Sequence, residues 1–155
     1  MKKHPLLIIL ALICVVSCKC HKTAVNNAKM TTVESVLIAK GNLYGAGKEG
    51  LTKQNMIIEN QSDWEDLMHQ MNKVNNVSDG FSETKVDFSK YIIIAVFNTV
   101  KGSGGNSIEL AVTNTSEKII VKVMYNSPTG NATSVMTQPF YITKIAKTDL
   151  PIVFE

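Results

Sequence analysis

The chain has 155 residues, 16 of them basic and 13 acidic, for a formal net charge of +3. Every basic residue is lysine and the signs alternate along the chain, so it lacks the basic stripe and arginine forks of nucleic-acid binders, which excludes nucleic acid as a partner. Cys14, Cys18 and Cys20 are the only cysteines, which excludes a disulfide-stapled domain or a thiolate metal site after position 20.

In chain order, Lys2 and Lys3 precede an apolar run, Leu6–Val16, that ends in Ser17-Cys18. The run is too short for a membrane-spanning helix, which needs ~20 apolar residues. It fits the hydrophobic region of a secretory signal. A small residue followed by Cys where the run stops resembles a bacterial lipobox. Residues 1–17 are therefore expected to be a lipoprotein signal peptide, and Cys18 the lipidated N-terminus of a protein in the bacterial cell envelope, facing the periplasm or the cell surface. Its membrane contact is expected through that lipid only. Losing residues 1–17 takes Lys2 and Lys3 away, leaving 14 lysines against 13 acids. Residues 18–32 are polar and weakly patterned, as a flexible tether would be. Residues 33–155 are enough for one domain with one core.

Within that domain the apolar period is mostly two. Val33–Ala39 and Met56–Ile58 read as short strands. Ser62-Asp63-Trp64-Glu65 has capping-box spacing, and Trp64, Leu67, Met68 and Met71 form one helical stripe. Asp63, Glu65 and Asp66 crowd the start of that helix, where the dipole favours negative charge. Tyr91–Phe97 (YIIIAVF) is an uninterrupted apolar run expected to be a central strand covered on both faces. Ser107–Thr113, Lys118–Tyr125 and Phe140–Lys147 read as further strands, and Pro151–Phe154 as an edge strand. The expected fold is α+β, predominantly antiparallel β-sheet, sandwich- or barrel-like, with one amphipathic helix near residues 62–72.

The segment VKGSGGNS (100–107) raises the question of a phosphate loop. Such loops run from a strand into a helix N-terminus, whereas this one runs between two strand-like segments and lacks a Gly-Lys-Ser/Thr ending. It is expected to be a hairpin tip whose glycines supply positive φ. If Tyr91–Phe97, Ser107–Thr113 and Lys118–Tyr125 pair in succession, parity returns NSPTGN (126–131) to the same end of the sheet. Small polar loops on a rigid sheet end are common binding positions. Lys101, Gly102, Ser103, Gly104, Gly105, Asn106, Pro128, Thr129, Gly130, Asn131 and Gln138 are accordingly the candidate residues for contact with a protein partner.

Catalytic patterns are thin. His69 is the one histidine of the domain, one turn after Glu65 and able to pair with it, and no Gly-x-Ser-x-Gly elbow accompanies it. One histidine without cysteine cannot supply the usual zinc sets. Asp87 reads as a residue that bonds nearby amides at the start of a strand rather than as a general base. No cofactor, no metal and no catalytic residue is expected.

The segments VDFSKYIIIAVF (86–97), GSGGNSIEL (102–110) and TGNATSVMTQPFYITKIAK (129–147) carry a family resemblance. From about Val36 to Phe154 the chain resembles the PrcB C-terminal domain family, named after a subunit of a cell-surface subtilisin-type protease complex. Val86-Asp87-Phe88, Gly104-Gly105 and Thr137-Gln138-Pro139-Phe140 match its short motifs, while Asn106 stands where an aromatic is more usual. The resemblance implies an α+β or mostly-β domain of secreted lipoproteins and a non-enzymatic accessory that binds or stabilises a protease. It carries over no catalytic residue. Two other readings stay open: an envelope hydrolase with an unrecognised site, and a carrier of a small hydrophobic ligand.

Overall fold

The computed structural model describes residues 30–155. The signal segment, Cys18 and tether residues up to 29 lie outside the described residues. The elements are β1 (Thr31–Thr32), β2 (Ser35–Leu43), β3 (Gln54–Ile58), α1 (Gln61–Met71), a short 3-10 turn (Val77–Gly80), β4 (Tyr91–Phe97), β5 (Ser107–Asn114), β6 (Ile119–Asn126), β7 (Gln138–Ala146) and β8 (Ile152–Phe154). Strand pairing begins at Thr31, inside the stretch expected to be tether.

The strands form two four-stranded sheets, ordered β1-β5-β6-β8 and β2-β7-β4-β3. The fold is thus a mostly-β sandwich with open edges rather than a closed barrel. Pairing is antiparallel throughout except β6 with β8, which is parallel. Among the described residues no helix is long and apolar enough to cross a membrane.

The β2-β7-β4-β3 sheet is the middle of three layers. Alternation sends Ile93, Ala95 and Phe97 to one face, where they pack with Trp64, Leu67 and Met71 of α1 and with Phe140 and Ile142. It sends Ile92, Ile94 and Val96 to the other, against Ile108, Val112, Ile119 and Val121 of the facing sheet. Burial on both sides is why YIIIAVF shows no polar alternation, as expected for a doubly covered strand. Trp64 is fully buried, stacks on Phe81 at 5.8 Å and donates its indole N–H to Thr84 O at 2.9 Å. That single side chain ties the helix and the return segment to the core.

Two expectations need correction. The helix starts at Gln61, and its cap is Asn60 rather than Ser62. The Asn60 side-chain oxygen accepts from Asp63 N at 2.9 Å, and its amide donates back to Asp63 Oδ2 at 2.8 Å. Asn at the cap satisfies the amide three positions on as Ser would, with the return bond made by its side-chain amide instead of its backbone N–H, so both registers were open. Glu65 meanwhile accepts from Gln61 Nε2 at 2.8 Å.

The second correction concerns VKGSGGNS. It is not a hairpin between neighbours, because β4 and β5 lie in different sheets. Both edges of β4 are occupied, by β7 and β3. The chain leaving Phe97 therefore crosses the sandwich to start β5, and only Gly105 of the three glycines has positive φ, +78°. A glycine-rich stretch serves a turn and a crossing equally well, so residue type did not separate them.

Candidate functional site

Strand directions collect three connections at one end of the sandwich. Leu43 pairs with Gln138, Phe97 with Phe140 and also with Gln54, and Ser107 with Asn126. The β2–β3 loop (44–53), the β4–β5 crossing (98–106) and the β6–β7 loop (127–137) therefore emerge together. The juxtaposition expected of 101–106 and 126–131 holds, although only the β5–β6 hairpin is needed to produce it.

The loops are tied to one another by backbone. Lys101 and Thr137 exchange hydrogen bonds, N–H to O at 2.6 and 2.9 Å, as an isolated antiparallel bridge. The Thr137 hydroxyl donates to Ser103 O at 2.8 Å, and Gly104 N donates to Thr133 O at 3.0 Å. Gly104 is buried, and a Cβ there would collide with the Thr133 hydroxyl. Gly105 packs on Pro128, whose Cβ would lie 3.2 Å from an added one, so positive φ and close approach both require glycine. Pro128 thus braces the crossing.

Several expected contact residues prove to be internal. Gln138 is 1% exposed, and its amide donates to Leu51 O at 2.9 Å and Asn98 O at 3.0 Å. Standing at the first inward position of β7, it holds the other two loops from beneath. Asn106, 5% exposed, donates to Ser103 O at 2.8 Å and fixes the crossing's turn. Gln138, Asn106 and Gly104 are therefore posts under the loop end and not its surface. Gly102, Gly105, Thr129, Gly130 and Asn131 are exposed, and Lys101, Ser103 and Pro128 half-buried.

The β2–β3 loop was missing from the expected set. It bends through Ala46 (φ 54°), Gly47 (φ 87°) and Gly50 (φ 76°). Glu49 within it is fully buried and accepts from Gly45 N at 2.8 Å. GNLYGAGKEG (41–50) was a visible signal, but its place depended on the β2–β7 pairing, which sequence did not reveal. With it come Tyr44, exposed by 60%, and Lys48 and Lys53. Lys53 Nζ sits 4.5 Å over the Tyr125 ring, whose phenol is raised above its ordinary value by partial burial. From the third loop, Val135 and Met136 are exposed.

The three loops carry Lys48, Lys53 and Lys101 and one acid, the buried Glu49. None of those lysines forms an ion pair among the described residues. The three ion pairs, Lys90–Asp87, Lys144–Glu83 and Lys118–Glu155, involve none of these loops. The loop end is thus cationic, with apolar and aromatic side chains between the charges.

Catalytic geometry is sparse. Among the described residues no three His, Cys, Asp or Glu gather closely enough to hold a metal ion. Asp87 lies in the turn before β4, where its Oδ1 accepts from the Ser89 hydroxyl at 2.5 Å and from Ser89 N at 3.1 Å. Those bonds, then Lys90 at 3.0 Å, hold its carboxyl down to about 2, as suits a turn brace. A groove of about 240 Å³ opens between β2 and β5, lined by Lys40, Asn42, Glu109 and Phe140 among others. No family model, no curated protein and no solved structure matches the chain.

Proposed function

We propose that this protein is an envelope lipoprotein, anchored through Cys18, whose loop end binds a protein partner as a non-enzymatic accessory. The observation that carries this reading is the polarity of the sandwich. The chain reaches the domain at Thr31, which pairs with Asn114 at the end of β5 opposite the loops. Asn114 lies at the opposite end of the eight-residue β5 from Ser107, roughly 24 Å away at about 3.4 Å per residue step. A lipid at Cys18 joins the domain through its far end and leaves the cationic loop end clear of the attachment. Rigid backing by the Gln138 amide and the Lys101–Thr137 bridge lowers the ordering cost of binding there. Tyr44 and Met136 supply rigid aromatic and adaptable apolar contacts, and the unpaired lysines favour a partner with an acidic face.

The resemblance to the PrcB C-terminal domain family supports a secreted or surface protease as that partner, bound or stabilised rather than cleaved. The test is chemical crosslinking of the lipidated protein in native envelopes, followed by capture and mass spectrometry. The reading expects one dominant partner, a protease. It expects the charge reversals Lys48→Glu and Lys101→Glu together to abolish that capture, and Lys85→Glu at the far end to leave it intact. Equal capture by all three proteins overturns the assignment of the loop end.

A further inference from the structure

Among the described residues the sandwich has four sheet edges, and three of them are protected. Exposed strand edges offer unpaired N–H and C=O groups, which proteins blunt with short strands, charges, prolines, bulges or coverage. β1 is two residues long, and β8 three, between Pro151 and Glu155. β2 carries a register shift at Leu37/Ala39, and Ser82 covers it, donating its N–H to Ile38 O and its hydroxyl to Leu37 O, both at 3.0 Å.

β3 is less protected: Lys53 and Glu59 flank it, but the strand itself holds no charge, proline or bulge. QNMII is five residues of uncharged strand paired with β4 in unbroken register. Among the described residues no other segment hydrogen-bonds to it. Ile57 on it is 40% exposed. Beside it runs a groove of about 200 Å³ toward α1, lined by Met56, Ile57, Ile58, Leu67, Asp63 and Asp66.

We infer that the free edge of β3 accepts an added strand from a partner protein, an extended segment whose α1-facing alternate positions are apolar with one Lys or Arg among them. Main-chain hydrogen bonds to β3 supply affinity, and alternate side chains are read by the groove. Apolar residues rest on Met56, Ile58 and Leu67, and a cation meets Asp63 and Asp66. A second copy of this chain fits less well, because pairing β3 with β3 brings two sets of these carboxylates together. The groove at Met56–Ile58 and α1 lies away from the loop end of β3, and the inference does not rest on the loop assignment.

The experiment titrates the full-length protein, isotope-labelled, with a peptide about seven residues long whose alternate positions read valine, lysine, valine, with threonine between them. Companion titrations use the same peptide with glutamate in place of the lysine. The expected result is amide shifts confined to residues 54–58 and the α1 groove, with the lysine peptide preferred. Asp66→Lys is expected to weaken the lysine peptide about three- to fivefold, the scale of an exposed ion pair, and to favour the glutamate peptide. Ile57→Lys, at an exposed position that keeps the fold by circular dichroism, is expected to abolish binding of both. Shifts elsewhere, no shifts, or equal binding of both peptides overturns the inference. So does a concentration-dependent dimer that Ile57→Lys dissolves, which would assign the edge to a second copy.

Discussion

Asp87 bonds groups of its own turn at the start of a strand, as its position in the sequence predicts. Its acceptor oxygens are occupied by the Ser89 hydroxyl, the Ser89 amide and Lys90, all within the turn that launches β4. Because its folded value of about 2 lies below the ordinary 3.8, its contribution to stability is fully present above about pH 4. That contribution is lost as pH falls through 2. Carbon-13 titration of the Asp87 carboxyl should give a midpoint near 2, and Ser89→Ala should move it upward, since the Ser89 hydroxyl is the largest cause. A wild-type midpoint at 3.8 would contradict the turn geometry. Gln138 makes a comparable point about burial. Its amide donates to two loop carbonyls, so Gln138→Leu should cost about 2–4 kcal/mol in urea unfolding, the scale of two buried acceptors left unpaired. No loss would mean that the loops are held without it.

At the scale of elements, α1 offers the sharpest check on local reading. Asn60→Ala should lower stability by about 0.5–2 kcal/mol through the lost cap, while Ser62→Ala, exposed in the first turn, should stay within about 0.5 kcal/mol. The reverse order would restore the Ser62 cap. Most strands were legible because alternation and β-branched runs mark them locally: Tyr91–Phe97 begins and ends where YIIIAVF does. Pairing was not legible. Whether β5 lies beside β4 or across the core from it depends on contacts far apart in sequence, between β4 and β7 and between β2 and β7. The parallel docking of β8 on β6 is likewise a tertiary outcome. The candidate site was half legible for the same reason. Gly102, Thr129 and Gly130 were found as exposed turn residues, whereas the inward aim of Gln138 and the arrival of Tyr44 and Lys48 required the sheet order.

At the scale of the whole molecule, the sandwich is polar in both geometry and charge. The chain joins it at Thr31, beside Asn114, and three loops carrying Lys48, Lys53 and Lys101 and no exposed acid lie at the other end. Ion pairs such as Lys90–Asp87 and Lys118–Glu155 flank the far end, where β4 and β6 begin. If the loop end is where the partner sits, contact should map to that end and stop. The direct measurement is a scan of photo-crosslinking residues in intact cells, placed singly at Tyr44, Ser103, Thr129 and Met136 and at Lys85, Glu117 and Asp149. Crosslinks to one protease from the first four positions and none from the last three are predicted. Adducts formed equally from both ends, or only from the far end, would contradict it.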